Sequence, residues 1–201
     1  MQVFYKVSGD NNFCWRPSEK NALKKFLSHR LPWQTMQPIW KKDFIQKLGG
    51  FDVEFQRMQD VELHTRALLA SPQFKCIDSQ PDCYYRIDEE RKNFAAYNFL
   101  ERWVDSAVKY CNKFAPLVED SLIKYLWGTT MATRLQLYYY LREKRINVAE
   151  YSSLKEKLGK QNLFRQMDGY HKFILSLSEM YNIRSVKIPG INWLLSKLFV
   201  L

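Results

Sequence analysis

The 201-residue sequence is poor in cysteine, glycine and proline, and these scarcities exclude several classes of protein. Its four cysteines form no Cys-x-x-Cys pair, so neither a disulfide-rich scaffold nor a cysteine-based zinc site is expected. Glycine and proline number seven each, which is too few for a collagen-like or low-complexity chain. The three histidines are scattered, and we therefore predict no metal site built from these residue types alone.

Long apolar runs and secretory features are also missing. No stretch of about 18 apolar residues occurs, so the sequence predicts no membrane-spanning helix. The first seven residues are too short and too polar for a signal peptide, and there is no Asn-x-Ser/Thr glycosylation acceptor. We expect a cytoplasmic location, where the protein could also bind peripherally to the inner face of the membrane.

The sequence does contain many apolar residues and an excess of positive charge. With 46% hydrophobic and 15% aromatic residues, the chain is expected to fold around a core. Lysine and arginine number 31 against 21 acidic residues, and the net charge of +10 favours an anionic partner. The basic residues are spread along predicted helices without a recognisable nucleic-acid-binding module, so nucleic acid is not the expected partner.

Apolar periodicity and turn residues predict a few strands and many helices. The predicted strands cover residues 2–7, 74–77 and 83–87. The predicted helices begin near Ser18 as an N-cap, then cover Lys42–Leu48 (ended by Gly49-Gly50), Asp60–Ala70, 96–114 and 117–142, with shorter helices after them and a last one at 191–201.

The most informative stretch runs from residue 33 to residue 88 and contains four blocks in a fixed order. The blocks are Trp33-Gln34-Thr35 with Trp40-Lys41-Lys42-Asp43-Phe44, then Leu48-Gly49-Gly50-Phe51-Asp52, then Gln59-Asp60-Val61-Glu62-Leu63-His64-Thr65-Arg66, and finally Tyr84-Tyr85-Arg86. In order and spacing they resemble the C-terminal, acceptor-side half of a family 2 glycosyltransferase with the GT-A fold.

The resemblance implies a mixed α/β, predominantly helical chain. Residues 1–90 would form a partial GT-A (Rossmann-like) segment with few strands, and residues 91–201 a helical C-terminal extension. The family's donor-binding half ends in an Asp-x-Asp motif that binds a divalent metal, and this motif is absent here. We therefore expect Mg or Mn in the full-length enzyme only, and expect this chain to be an inactive segment of a bacterial enzyme of cell-envelope polysaccharide biosynthesis.

The implied reaction is an inverting transfer of a sugar from a nucleotide-diphosphate sugar to a glycan or lipid-linked acceptor. Such a transfer needs a carboxylate that takes the proton from the acceptor hydroxyl. The family's base maps onto Asp60, with Gln59 in place of the commoner Glu. At the start of a helix, backbone N–H groups would favour the ionised carboxylate. Taken without the resemblance, the sequence favours Asp60 as a simple N-cap, which is the commonest role of an Asp before an apolar run.

The resemblance also implies a set of substrate-binding residues, several of which have structural alternatives. This set comprises Trp33, Gln34, Thr35, Gly50, Phe51, Gln59, Arg66 and Arg86. Trp33 could stack on a sugar or belong to the core, and Arg66 lies four residues after Glu62, as in a structural ion pair. Arg86 could bind a diphosphate or anchor the acidic residues around it, and His64 is expected on a helix surface rather than on a metal.

A function of a different class remains open at the level of sequence. The chain could be a non-catalytic basic helical module that docks to a membrane or to a partner protein. The apolar segment 188–201 is too short to cross a bilayer but could lie in its interface. Alternatively, this segment packs on the long helices as part of the core.

Overall fold

The computed structural model describes residues 3–6, 12–77, 83–86, 95–183 and 190–199. Its strands are β1 (Val3–Lys6), β2 (Asn12–Trp15) and β3 (Cys83–Arg86). Its helices are α1 (Ala22–Leu27), α2 (Lys42–Lys47), α3 (Gln59–Leu69), α4 (Ala96–Phe114), α5 (Asp120–Arg142), α6 (Val148–Gly159), α7 (Asn162–Gln166), α8 (Gly169–Ile183) and α9 (Ile191–Leu198), with a 3-10 turn at Ala115–Leu117.

The chain divides into two compact units. The first unit comprises Met1–Phe26, Arg30–Val53 and Gln59–Phe94, and the second comprises Leu27–His29, Glu54–Met58 and Ala95–Leu201. The boundary predicted between residues 90 and 91 lies outside the described residues.

The predicted fold class, a mixed α/β chain with a partial GT-A segment, is wrong. A Rossmann-like segment needs a sheet whose faces are covered by helices. Here the strands are only four residues long each, in the order β2-β1-β3, and the described residues are organised by helices. The buried apolar side chains of the first unit, such as Phe26, Trp33 and Leu63, belong instead to α1, to α3 and to the loop between α1 and α2. Helix and loop packing therefore replaces the expected sheet layer.

Local sequence signals predicted several helices correctly, but they did not predict the start of α1 or the conformation of residues 74–77. The structure confirms the helices predicted near residues 42–48, 60–70 and 96–114. The N-cap prediction for Ser18 is wrong, because α1 begins at Ala22 and the Ser18 hydroxyl instead accepts a 3.1 Å hydrogen bond from the Lys25 ammonium. The strand predicted at 74–77 is also absent, since that segment is not paired in a sheet; the ring of Phe74 packs against Trp33.

The end of α2 depends on two left-handed glycines. Gly49 has a φ of 80° and Gly50 a φ of 68°, and their N–H groups donate to the carbonyls of Gln46 and Ile45. This is the helix stop that the Gly-Gly pair predicts. Neither glycine has another atom within 4 Å of the position that a Cβ would take, so their requirement is conformational rather than steric.

We expect Gly49→Ala to destabilise the protein by about 1–2 kcal/mol, because a left-handed backbone disfavours residues with a Cβ. Gly159→Ala provides a matched control. Gly159 is helical and also has open space at its Cβ position, so its replacement is expected to be neutral or stabilising. Urea unfolding of both variants measures the difference, and equal effects would contradict the role assigned to Gly49.

The second unit is a helical body built on α4, α5 and α6. Its core cluster includes the fully buried Leu100, Val104, Leu137 and Leu158. Within the Tyr138-Tyr139-Tyr140 run, the first and third rings are buried and the middle one is exposed. This is the pattern expected of a helix that packs with one face.

A charged network joins α8 to the two helices beside it. Glu179 accepts hydrogen bonds from Arg134 and Tyr151, each at 3.4 Å, and from the Lys155 ammonium. Burial acts to raise the pKa of Glu179, but the hydrogen bond and charge of Lys155 and the charge of Arg134 help to hold this pKa below its ordinary value.

The last described helix, α9, places part of its apolar face against α8. Leu195 and Phe199 are buried, and the Phe199 ring lies 5.2 Å from that of His171. The Tyr170 hydroxyl also donates to the Leu198 carbonyl at 3.2 Å. Leu194 remains exposed. In the described part of the chain, no helix combines the length and the apolar character needed to cross a membrane.

Candidate functional site

The candidate base, Asp60, lies in the first turn of α3 and is held by two hydrogen bonds. Its Oδ1 accepts a 2.9 Å bond from the N–H of Val61, and its Oδ2 accepts a 2.6 Å bond from the hydroxyl of Thr35. Helix α3 begins one residue earlier, at Gln59, so Asp60 is inside the helix and is not its N-cap. The side chain is only partly buried, which leaves it accessible to a substrate hydroxyl.

The Thr35 bond brings together two motif blocks that are 25 residues apart in sequence. Gln34, beside it, donates its backbone N–H to the side-chain oxygen of Gln37 at 2.5 Å, which fixes the turn that carries Thr35. Thr35 itself is exposed. The structure therefore unites Thr35 with Asp60, as expected for members of one site.

Trp33 is a core residue rather than part of an exposed loop. It is 6% exposed, and its ring packs edge-on against Phe26, Phe74 and His64 at 5.0, 5.6 and 5.9 Å. Its indole nitrogen is buried and has no hydrogen-bond partner among the described residues. Most of the ring is therefore used in packing, while one polar atom is left unsatisfied.

The prediction that His64 lies on a helix surface is wrong. The imidazole is 2% exposed and lies 5.0 Å from the Phe26 ring and 5.8 Å from the Trp40 ring, on which it stacks. This burial lowers the pKa of His64 to about 4, although the negative charge of Asp60 acts in the opposite direction. His64 is thus a neutral member of the aromatic core at neutral pH.

The buried His64 makes stability depend on pH. Its folded pKa, about 4, lies below the ordinary value of 6.5, so between these values the unfolded chain binds a proton that the folded chain does not. We expect the free energy of unfolding to fall by up to about 3 kcal/mol as the pH is lowered from 6.5 to 4. Urea unfolding followed by tryptophan fluorescence at several pH values measures this loss.

The variant His64→Phe supplies the control for that experiment, since it keeps an aromatic ring but cannot bind a proton. Its stability should fall less steeply than that of the wild type over the same pH interval. An identical pH dependence in the two proteins would show that another group is responsible.

Arg66 links α3 to the end of α2. Its guanidinium donates to both oxygens of the fully buried Glu62 at 2.8 Å, to the Gly50 carbonyl at 2.7 Å and to the Leu48 carbonyl. The Glu62 carboxylate raises the pKa of Arg66 above its ordinary value. The described contacts of Arg66 therefore serve to position the Gly-Gly block, as the ion-pair alternative predicts.

The remaining predicted residues are Gly50, Phe51, Gln59 and Arg86. Gly50 is in the left-handed conformation, and Phe51 after it is 52% exposed. Gln59 is partly buried at the first position of α3. Arg86 is the last residue of β3, and the role predicted for its side chain stays a prediction.

Sequence reasoning missed a groove in the first unit, which we call the aromatic groove. It has a volume of about 490 Å³. Its wall is mostly apolar and includes Trp33, Pro38, Ile39, Trp40, Phe44, Ala67, Leu68, Pro72, Phe74 and Ile77, with Lys41 and Lys75 among its polar members. The aromatic residues were visible in the sequence, but nothing there indicated that segment 72–77 would close a groove against residues 33–44.

The divalent cation implied by the resemblance is expected only in the full-length enzyme, and it stays a prediction. Among the residues that the structure describes, no three histidine, cysteine or acidic side chains are close enough together to hold a metal ion.

Comparisons with protein-family models, with curated proteins and with solved structures produced no match to the chain.

Proposed function

We propose that the protein containing this chain is an inverting glycosyltransferase, and that Asp60 is its catalytic base. It would move a sugar from a nucleoside-diphosphate sugar to a glycan or lipid-linked acceptor. The observation that carries the proposal is the 2.6 Å bond from the Thr35 hydroxyl to Asp60 Oδ2. A general base must lie within hydrogen-bond reach of the hydroxyl that it deprotonates, and this oxygen already accepts a bond from a hydroxyl.

In the proposed reaction the acceptor oxygen attacks the anomeric carbon while Asp60 takes its proton. The bond from that carbon to the diphosphate oxygen breaks on the opposite face, and the nucleoside diphosphate leaves with the bonding electrons. A single displacement of this kind inverts the configuration of the anomeric carbon. The bonds from Val61 and Thr35 support the proposal because they hold the carboxylate in one orientation.

Arg66 supports the same site indirectly, as a positioning residue. By binding the carbonyls of Leu48 and Gly50 it fixes the loop from which Phe51 emerges. The half-exposed ring of Phe51 is available to pack against a sugar. The nucleotide and its cation would need Asp-x-Asp residues that this sequence lacks, so the proposal assigns only the acceptor side to this chain.

The test is a transfer assay with the full-length protein that contains this chain. The protein is incubated with a panel of nucleoside-diphosphate sugars, Mg²⁺ or Mn²⁺, and glycan or lipid-linked acceptors, and the release of nucleoside diphosphate is measured. We expect nucleoside diphosphate to be released from one of the donors, and only when an acceptor is also present. A folded protein that turns over none of these donors would contradict the proposal. Salt-sensitive binding to anionic vesicles that survives deletion of residues 33–66 would then favour the docking module.

A further inference from the structure

The aromatic groove exposes more apolar surface than a site for a free sugar requires. Ile39 is 92% exposed, Ile77 is 63% exposed and Phe74 is 44% exposed, and all three line the groove. Contiguous apolar surface in a concave site marks a place where a ligand or partner is bound. A sugar in such a groove would leave most of its hydroxyl groups without hydrogen-bond partners, whereas a hydrocarbon chain would not.

The charged residues of the groove wall are basic. Lys41 and Lys75 are exposed and line the groove, and none of its described lining residues is acidic. The carboxylate of Glu19, which is not a lining residue, accepts a hydrogen bond from the backbone N–H of Cys76 in the wall. The wall therefore complements a ligand that has an apolar chain and an anionic group.

The groove wall and the candidate catalytic residue are connected through two segments of the first unit. Trp33 lies two residues before Thr35, which donates to Asp60. The rings of Trp33 and Trp40 contact His64, one helical turn after Asp60 on α3. These contacts connect the wall of the groove to the helix that carries the carboxylate used in the proposed reaction.

We propose that the aromatic groove binds the hydrocarbon chain of a lipid-phosphate-linked acceptor. Lys41 and Lys75 contact the phosphate, and the sugar that the lipid carries extends towards Asp60. This inference rests on the proposed function and makes it more specific, because it selects a lipid-linked acceptor over a free glycan.

Dodecyl phosphate, used below its micellar concentration, is a simple probe of the groove. Its binding to the full-length protein is measured by isothermal titration calorimetry for the wild type and for Ile39→Asp and Ile77→Asp. We expect each variant to bind about tenfold more weakly, since a charge placed in an apolar site is unfavourable. Val53→Asp is the matched control, because Val53 is 93% exposed in the same unit but does not line the groove, and its affinity should be unchanged.

The charge of the ligand is tested by a second pair of variants. Lys41→Gln and Lys75→Gln should weaken dodecyl phosphate by roughly fivefold and leave the neutral dodecyl glucoside unaffected. Lys42→Gln, an exposed neighbour outside the groove, should change neither. Inorganic phosphate alone should not displace dodecyl phosphate. Equal effects of Ile39→Asp and Val53→Asp, or displacement by inorganic phosphate, would overturn the proposal.

Asp60→Asn separates this inference from the proposed function. The variant should bind dodecyl phosphate as the wild type does, because Asp60 does not line the groove. If Asp60→Asn binds dodecyl phosphate and still transfers sugar, the assignment of the base is refuted and the lipid site is supported. Transfer that depends on Asp60, without binding of dodecyl phosphate, would refute the lipid site alone.

Discussion

Asp60→Asn in the full-length protein is expected to abolish sugar transfer while leaving donor binding nearly unchanged. Asn has the shape of Asp and still offers an oxygen to Thr35 or Val61, but it cannot take the proton of the acceptor. General-base catalysis contributes about 10²–10⁴-fold to rates, so kcat should fall by at least the lower of these factors. Steady-state kinetics gives kcat, and calorimetry with the donor gives its Kd.

The matched control for this experiment is Asp43→Asn. Asp43 is an exposed carboxylate in the first turn of α2, within the same unit and within the same motif. Its replacement changes the net charge by the same amount, and we expect wild-type turnover from it. Wild-type turnover from Asp60→Asn would exclude Asp60 as the base.

Arg66→Met is expected to destabilise the protein by about 3–5 kcal/mol, because it removes the cation that binds both oxygens of a buried carboxylate. Glu62 is fully buried and receives two hydrogen bonds from Arg66. The same substitution removes the donor to the carbonyls of Leu48 and Gly50. Urea unfolding measures the loss, and in the full-length enzyme we expect KM to rise as the loop before Phe51 loses its anchor.

Two further variants show whether burial is the cause of this effect. Arg142→Met breaks an ion pair with Glu143 in which both side chains are more than 40% exposed, at 46% and 43%, and should cost less than about 1 kcal/mol. Adding Glu62→Gln to Arg66→Met removes the buried negative charge and should restore part of the lost stability. Equal losses from Arg66→Met and Arg142→Met would mean that the Glu62 pair is not a buried anchor.

Local sequence signals predicted the helices that frame the site but not the fold class. The glycines at 49 and 50 end α2 through their own backbone preferences, and the apolar periodicity of α4 is a property of its 19 residues alone. The GT-A expectation instead required a sheet layer, which depends on pairing between segments that are distant in sequence. Strand-like composition at residues 74–77 could not reveal that Phe74 would pack against Trp33.

The same distinction between local and distant contacts applies to the site. The motif blocks indicated that Thr35 and Asp60 belong together, and the hydrogen bond between them agrees with that expectation. The burial of His64 could have been inferred, since it lies three residues after Val61 and three before Ala67, on the buried face of α3. The aromatic groove could not, because it forms only when segment 72–77 lies against residues 33–44, which are distant from it in the sequence.

The anomeric configuration of the product tests the central claim most directly. Proton NMR of the transferred sugar, recorded early in the reaction, compares its configuration with that of the donor. A single displacement with Asp60 as the base predicts inversion in every product molecule. Retention would exclude a single displacement from the opposite face and would contradict the role proposed for Asp60.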